Sequence, residues 1–434
     1  MNFKYKNFLV YGLSSSGESV SRLLKKLHAN VFLYDDNENK ARNLHIPNCY
    51  VLNEINEDLI RQMDYMIVSP SISIDNKFLC MAMAQEVKIF SELEFASQFC
   101  DKLVAITGTN GKTTTVQLIT AILNQKYKAI ACGNIGYPLS RAVLEKKRYI
   151  KVAEVSSFML EHCDMFHPHI ATILNISPDH LLRHGDMDIY TKIKKKIFQN
   201  IQSKDFIVVN LDEDIDIECN AKKITYSCDH HADICLRDGY IYLFDDRVIS
   251  THELPIKGKH NIYNTMCAIA YGYIYKVCIK KMRQALISFT GEKYRNELVA
   301  VVNNIRFVND SKSTNIASTL ASVDSMKSGV VLLLGGSKKG LDYSYLFTHL
   351  SKKVKEIIVF GEISGDLINA NTDFNIHEVG NLSDAVDMAI ELAIPNDTIL
   401  LSPASASYDQ FENYIERGRL FDRKVRAYEI SQNK

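Results

Sequence analysis

The 434-residue sequence contains no C-x-x-C pair among its ten cysteines. Thiols scattered in this way argue against a disulfide framework and fit a reducing compartment, so a cytoplasmic protein is expected. Charge of one sign is also missing, because Lys+Arg and Asp+Glu both total 51. Such a chain has no global attraction for nucleic acid or for an anionic membrane, and neither partner is expected. Long apolar runs are absent too. The first one, Phe8 to Leu13, is far too short to span a bilayer and too short for a signal-peptide core, and it reads as a buried first strand. No internal repeat or low-complexity tract is present. The length predicts more than one domain.

Three α/β blocks can be traced. In the first, the strand Phe8-Leu9-Val10-Tyr11 runs into Gly12-Leu13-Ser14-Ser15-Ser16-Gly17, an amphipathic stretch Val20 to Leu27, and a second strand Val31–Tyr34 ending at Asp35-Asp36. Strand, small-residue turn, helix, strand and acid form the opening of a nucleotide-binding βαβ unit. Gly12 permits the tight turn, and Gly17 lets the helix approach the sheet. Ser14 stands where G-x-G-x-x-G has its middle glycine, so a βαβ unit without ligand stays open. The second block predicts strands at Leu103–Thr107, Tyr149–Val155, Ile170–Ile176 and Phe206–Asn210. The third predicts strands at Ile305–Val308, Val330–Leu334, Ile357–Phe360 and Thr398–Leu401, then a polar helix towards Lys434. Short apolar runs separated by helices imply parallel sheets covered on both faces.

The most specific segment is Thr107-Gly108-Thr109-Asn110-Gly111-Lys112-Thr113-Thr114, placed between a strand and a helix. Backbone N–H groups and the helix dipole can surround a polyphosphate there. Lys112 is placed to meet the β/γ oxygens, and the hydroxyl of Thr113 or Thr114 can bind Mg²⁺. Only Thr109 and Asn110 separate the two glycines, a departure from G-x-x-x-x-G-K-[ST].

This loop resembles the ATP loop of the Mur ligases and their folylpolyglutamate synthetase relatives. Further segments match in order: Gly133-Asn134-Ile135-Gly136, Glu154-Val155-Ser156-Ser157-Phe158, Asn175-Ile176-Ser177-Pro178-Asp179-His180 and Gly258-Lys259-His260-Asn261-Ile262-Tyr263-Asn264. Asn309-Asp310-Ser311-Lys312-Ser313-Thr314-Asn315 and Ser402-Pro403-Ala404-Ser405-Ala406-Ser407-Tyr408-Asp409-Gln410-Phe411 complete the set, so the resemblance spans essentially the whole chain. It implies an α/β fold of three domains: a Rossmann-like amino-terminal domain holding a UDP precursor (1–93), a central P-loop-type ATPase domain (94–290) and a Rossmann-like carboxy-terminal domain choosing the amino acid (291–434).

The resemblance also implies roles. Gly108, Thr109, Asn110, Gly111, Lys112, Thr113 and Thr114 would hold ATP, with Asn261 and Asn264 at adenine, Arg295 on ATP and Asp310 on the ribose. Lys112, Glu154, His180 and Lys194 would be catalytic. Thr113, Glu154, His180 and Lys194 would serve Mg²⁺ at two sites, with Lys194 carbamylated. Gly12, Ser14, Ser15, Asp35, Ser69, Asn134 and Ser156 would bind the precursor, and Thr314, Lys339, Ser407 and Tyr414 the amino acid. The helical pattern around Lys192, Lys194, Lys195 and Lys196 puts Lys194 nearest the buried stripe of Tyr190, Ile193 and Ile197.

A basic residue and hydroxyls suit a dicarboxylic substrate. The sequence also lacks the Asp-Asn-Pro-Arg motif with which relatives bind diaminopimelate. Together with the Ser402–Phe411 segment, the resemblance implies a reaction that joins D-glutamate to UDP-N-acetylmuramoyl-L-alanine through an acyl phosphate, in peptidoglycan precursor synthesis, by a monomer. Four residues depart from the family pattern: Met159 for Gln, Leu182 for Asp, Tyr294 for His and Ser71 for Gly. A family member with another amino acid, folylpolyglutamate synthesis, and a nucleotide-binding relative without catalysis are the rival readings. Outside the resemblance, Lys339 in a basic turn and Asp310 with Arg295 in a surface ion pair stay open. Cys219, Cys228, His230, His231 and Cys235 lack the close ligand pairs of a zinc finger.

Overall fold

The computed structural model describes residues 3–37, 40, 44, 46–291, 293–327, 329–338, 342–371 and 373–432, with the backbone alone at Leu182. The chain forms two compact units, Met1–Leu254 with Tyr263–Phe289, and Pro255–Ile262 with Thr290–Lys434.

The first unit contains two sheets. One is built from β1 (Asn7–Tyr11), β2 (Asn30–Tyr34), β3 (Tyr50–Val51), β4 (Tyr65–Val68) and β5 (Lys88–Ser91), all parallel, in the order β3-β2-β1-β4-β5. This order matches the first five strands of the doubly wound 3-2-1-4-5-6 sheet. Successive side chains of β1 alternate between the two faces: Phe8 and Val10 enter one core cluster, Leu9 and Tyr11 another. That division explains why β1 reads as an unbroken apolar run. Helix α1 (Ser15–Lys26) follows, starting five residues before the amphipathic stretch. A Cβ at Gly17 would lie 2.0 Å from the Gly12 carbonyl oxygen, so the missing side chain is what lets the helix begin so close to the strand.

The second sheet comprises β6 (Leu103–Thr107), β7 (Ala129–Gly133), β8 (Ile150–Glu154), β9 (Ile170–Ile173), β10 (Phe206–Asn210), β11 (Lys222–Ser227), β12 (Ile234–Arg237), β13 (Tyr240–Leu243) and β14 (Asp246–Ser250). Their order is β14-β13-β12-β11-β10-β9-β6-β8-β7. Helix α2 (Lys112–Leu123) packs on β6, β7 and β8, and α3 (Ser157–Glu161) and α4 (Leu181–His184) pack against α5 (Met187–Lys195). The helix α6 (Lys259–Ile274) follows in sequence.

The second unit holds β15 (Glu297–Val302), β16 (Ile305–Asn309), β17 (Val330–Gly335), β18 (Val354–Phe360), β19 (Asn375–Val379) and β20 (Thr398–Ala404), ordered β15-β16-β20-β17-β18-β19, and ends in α7 (Tyr414–Gln432). The expected parallel sheets are present, and the second and third also carry antiparallel strands. β12, β13 and β14 pair antiparallel, and so do β15 and β16. The causes are local. Asp238 and Gly239 (φ +48° and +75°) turn β12 into β13, and Asn303 and Asn304 (φ +50° and +63°) turn β15 into β16. Both are two-residue turns with positive φ at each position, which match the twist of a hairpin.

Helix propensity alone would favour Gly17→Ala by about 1 kcal/mol. The backbone contact reverses that sign. We expect the variant to be destabilised by about 1–3 kcal/mol in urea unfolding, and a stabilised variant would contradict this packing.

Candidate active site

The loop Gly108–Gly111 leaves β6, whose neighbours are β9 and β8. Its shape needs glycine at both ends. Gly108 has φ +149° and Gly111 φ +82°, and a Cβ on Gly111 would sit 2.5 Å from Asn264 Oδ1. The segment after β9 clamps the loop. Thr109 N donates to Asn175 O at 3.0 Å, Asn110 N to Asn175 Oδ1 at 2.8 Å, and Asn175 Nδ2 back to Asn110 O at 3.2 Å. The Thr109 hydroxyl donates to Ser177 O and accepts from Ser177 N, each at 3.0 Å, and lies 3.2 Å from the Tyr190 hydroxyl.

Two amines converge on this loop. Lys112 Nζ donates to Gly108 O and Thr109 O, both at 2.8 Å, and Lys194 Nζ donates to Gly108 O at 2.9 Å. Lys194 is 1% exposed, whereas Lys192 is exposed and Lys195 and Lys196 are half-buried. Burial pushes the Lys194 amine well below the ordinary lysine value; the Lys112 cation adds to the shift, and Asp179 opposes it. Its amine lies 4.6 Å from the centre of the Tyr190 ring.

The acid at the end of β8 is organised on both oxygens. Glu154 Oε2 accepts from Thr113 Oγ1 at 2.7 Å, and Oε1 from Asn134 Nδ2 at 2.9 Å. A carboxylate beside a hydroxyl is a hard oxygen donor set and fits Mg²⁺. The Thr114 hydroxyl is buried without a hydrogen-bond partner. His180 begins α4 at φ +54°, with Nε2 3.5 Å from Asp179 Oδ2 and its ring 4.8 Å from that of Phe158. Among the described residues no three His, Cys, Asp or Glu side chains are grouped to hold a metal, so Glu154 and His180 stand as separate donors, and the Cys219–Cys235 region forms no such group.

At the first sheet, Gly12 (φ +92°) packs so that a Cβ would lie 2.5 Å from Ser69 Cβ. Asp35 accepts from Leu13 N at 2.7 Å and Asn37 N at 2.9 Å, and the Ser69 and Ser71 hydroxyls are 3.1 Å apart. Gly12, Asp35 and Ser69 thus share the carboxyl edge of β1, β2 and β4, where α/β sheets bind ligands. Ser14 and Ser15 are exposed at the start of α1. Ser156 caps α3 by accepting from Met159 N at 3.3 Å, and Met159 itself is buried in the core.

In the second unit Asp310 is fully buried, which raises its carboxyl from the usual range, while the Ser313 and Ser402 hydroxyls and Arg295 oppose the rise. His260 is pushed down to about 4 by burial, with Arg295 adding. Asn261 donates to Lys257 O at 2.8 Å, and in the first unit Asn264 accepts from Thr115 at 3.1 Å, so the two asparagines of α6 have separate partners. Thr314 is half-buried, Ser407 is buried, and Tyr414 lies with its ring centre 5.6 Å from Lys312 Nζ. Lys339 falls outside the described residues.

The sequence reading missed Arg417 on α7. Its side chain is fully buried, and burial lowers it to about 9. It donates to Ser311 Oγ at 3.1 Å, Ser311 O at 2.9 Å, Ser405 O at 3.0 Å and Ala406 O at 3.1 Å. One guanidinium therefore ties the loops after β16 and β20. The readable signal was Gly418, since a Cβ there would meet the Tyr294 ring at 2.5 Å, and a glycine inside a helix marks a close approach.

Parallel strands with a glycine-bounded phosphate loop at their carboxyl edge define a nucleotide-binding α/β protein. Family models extend that class. The Mur ligase MurD-like N-terminal domain matches residues 6–91, the Mur ligase middle domain 106–272, and the Mur ligase glutamate ligase domain 294–405. The chain belongs to the Mur ligase family. It is 34% identical over 98% of its length to the UDP-N-acetylmuramoylalanine--D-glutamate ligase of Caldanaerobacter subterraneus subsp. tengcongensis, covering 99% of that protein. The ligase of the same name from Clostridioides difficile is also 34% identical, with 98% and 99% covered. Among solved structures, the pseudomurein peptide ligase type C of Methanothermus fervidus matches with TM-score 0.63 at 18% identity, covering 97% of this chain and all of that one. The MurF ligase of Thermotoga maritima in complex with ADP also gives 0.63, at 14% identity over 89% and 97%. These two likenesses concern the fold.

Replacing Arg417 by Leu would leave buried carbonyls without donors. We expect a loss of about 3 kcal/mol or more in the unfolding of the second unit, measured by denaturant titration.

Proposed function

We propose that the chain is an ATP-dependent ligase that adds D-glutamate to UDP-N-acetylmuramoyl-L-alanine, acting as a cytoplasmic monomer in peptidoglycan precursor synthesis. The observation that carries this reading is the phosphate loop with Lys112, Lys194, Thr113 and Glu154 gathered around it, in a chain related over its full length to ligases bearing that name. No helix among the described residues is long and apolar enough to cross a membrane.

In this reading residues 1–93 hold the UDP precursor, 94–290 ATP and 291–434 the amino acid. A precursor carboxylate oxygen attacks the γ-phosphorus of ATP, ADP leaves, and an acyl phosphate forms. The D-glutamate amine then attacks the acyl carbon, phosphate leaves, and the amine loses its proton. The chain's part is mostly positioning and charge. With Thr109 and Asn110 N–H held by Asn175, the N–H groups at the start of α2, Gly111 to Thr114, would face the polyphosphate, and Lys112 would offset its charge. Thr113, Glu154 and His180 would hold Mg²⁺ at two sites, where the ion supplies charge neutralisation on the transferred phosphoryl group. A neutral Lys194 amine can add CO₂ and release a proton, giving a carbamate that acts as a further oxygen donor. Asn261, Asn264, Arg295 and Asp310 serve the nucleotide. Gly12, Ser14, Ser15, Asp35, Ser69, Asn134 and Ser156 serve the precursor, and Thr314, Lys339, Ser407 and Tyr414 the D-glutamate.

Phosphate release by the purified chain with ATP, Mg²⁺ and the UDP precursor tests this, with D-glutamate compared against L-glutamate, L-lysine and diaminopimelate. Release that depends on D-glutamate is expected. Release with another amino acid would discard the pocket, and silence with all four despite ATP binding would discard the activity.

A further inference from the structure

Arg183 takes no part in the chemistry above, yet it makes the densest set of polar contacts between the first two sheets' loops. It lies on α4, three residues after His180. Its guanidinium faces the turn Ser69–Ile72, which is closed by Ile72 N donating to Ser69 O at 3.0 Å. Three consecutive carbonyls of that turn converge on it: Ile72 O at 2.7 Å, Ser71 O at 3.2 Å and Pro70 O at 3.4 Å. On its other side Glu161 accepts from Nη2 at 2.6 Å and from Nε at 3.2 Å, a fork that fixes the plane of the group. The Phe158 ring, which also touches His180, has its centre 5.1 Å from the guanidinium carbon. The Glu161 side chain is 5% exposed, so the pair is shielded from solvent screening. His162 adds a second contact to the same turn, with Nε2 3.3 Å from Ile72 O.

We propose that Arg183 is a positioning residue that sets the precursor-binding turn against the His180 loop; this rests on the assignment of Ser69 to the UDP precursor. The chain of contacts runs from Gly12, through Ser69 and its turn, to Arg183 and so to the helix that His180 opens. A lysine could not replace the arginine, because a single ammonium cannot reach three carbonyls while pairing with both carboxylate oxygens. The turn would then lose its fixed place, and the precursor would bind a site that must first be ordered. Among the described residues Arg183 makes no hydrogen bond to the loop Gly108–Gly111 assigned to ATP, so the affinity for ATP is expected to hold.

The test measures the affinity of the full chain for UDP-N-acetylmuramoyl-L-alanine and, separately, for ATP, by calorimetry in wild type, Arg183→Lys and Glu161→Gln. The Kd for the precursor should rise about tenfold in Arg183→Lys and several-fold in Glu161→Gln, with the Kd for ATP within about twofold of wild type. In turnover the precursor KM should rise while kcat at saturation is held. An unchanged precursor Kd in a folded variant overturns the proposal, and so does an equal loss for ATP, which marks general structural damage. Glu161→Gln decides the matter if Arg183→Lys does not fold. A wild type that binds the precursor but turns over no amino acid defeats the proposed reaction and leaves the affinities to judge Arg183. A wild type that binds no precursor defeats both.

Discussion

Two lysine amines donate to a single carbonyl oxygen, that of Gly108, from 2.8 and 2.9 Å. Two ammonium groups so close in a buried setting repel strongly, because little water is present to screen them. The conflict is relieved at the more buried member. Lys194, at 1% exposure, gives up its proton far more readily than an ordinary lysine, first because it is buried and then because the Lys112 cation lies beside it. The surrounding structure serves this arrangement: Gly108 and Gly111 take positive φ to aim the loop, and Asn175 and Ser177 hold it in place. A neutral amine is also the form that reacts with CO₂, so the burial that lowers the Lys194 amine, with the Lys112 cation adding to it, also favours the proposed carbamate.

The same solution recurs in all three sheets. Residues assigned to ligands stand at the carboxyl ends of adjacent strands: β2, β1 and β4 in the first sheet, β9, β6 and β8 in the second, and β16 and β20 in the third. Parallel strands present loops and helix amino termini at that edge, where unpaired N–H groups are available. The amino-acid sequence changes the side chains on this edge from sheet to sheet while the backbone logic stays fixed. In the second unit a buried guanidinium, Arg417, holds the loops together. Arg183 plays a comparable part in the first, on the turn after β4.

Much of this was legible from residues alone. The strands Leu103–Thr107 and Phe206–Asn210 have the bounds their apolar runs predict, and the glycines of the phosphate loop take the backbone conformations that only glycine adopts freely. Helical periodicity put Lys194 nearest the buried stripe, and it is the one buried lysine of its run. What could not be read depends on partners distant in sequence. Arg417 reaches a carbonyl 106 residues away, and Arg183 reaches carbonyls 111 to 113 residues away; the charge of an arginine on a helix does not name such distant partners. The antiparallel additions were obscured differently. Asp238-Gly239 is a strong hairpin signal, but the alternation of strands and helices around it favours a parallel reading.

The most direct test of the Gly108 convergence is to equilibrate the protein with ¹³C-bicarbonate and record its ¹³C spectrum, with Lys194→Ala as control. The account predicts one protected carbamate resonance that is missing from the variant. A spectrum without such a resonance, or with one that persists in Lys194→Ala, would contradict a neutral, CO₂-reactive Lys194 at the centre of the site.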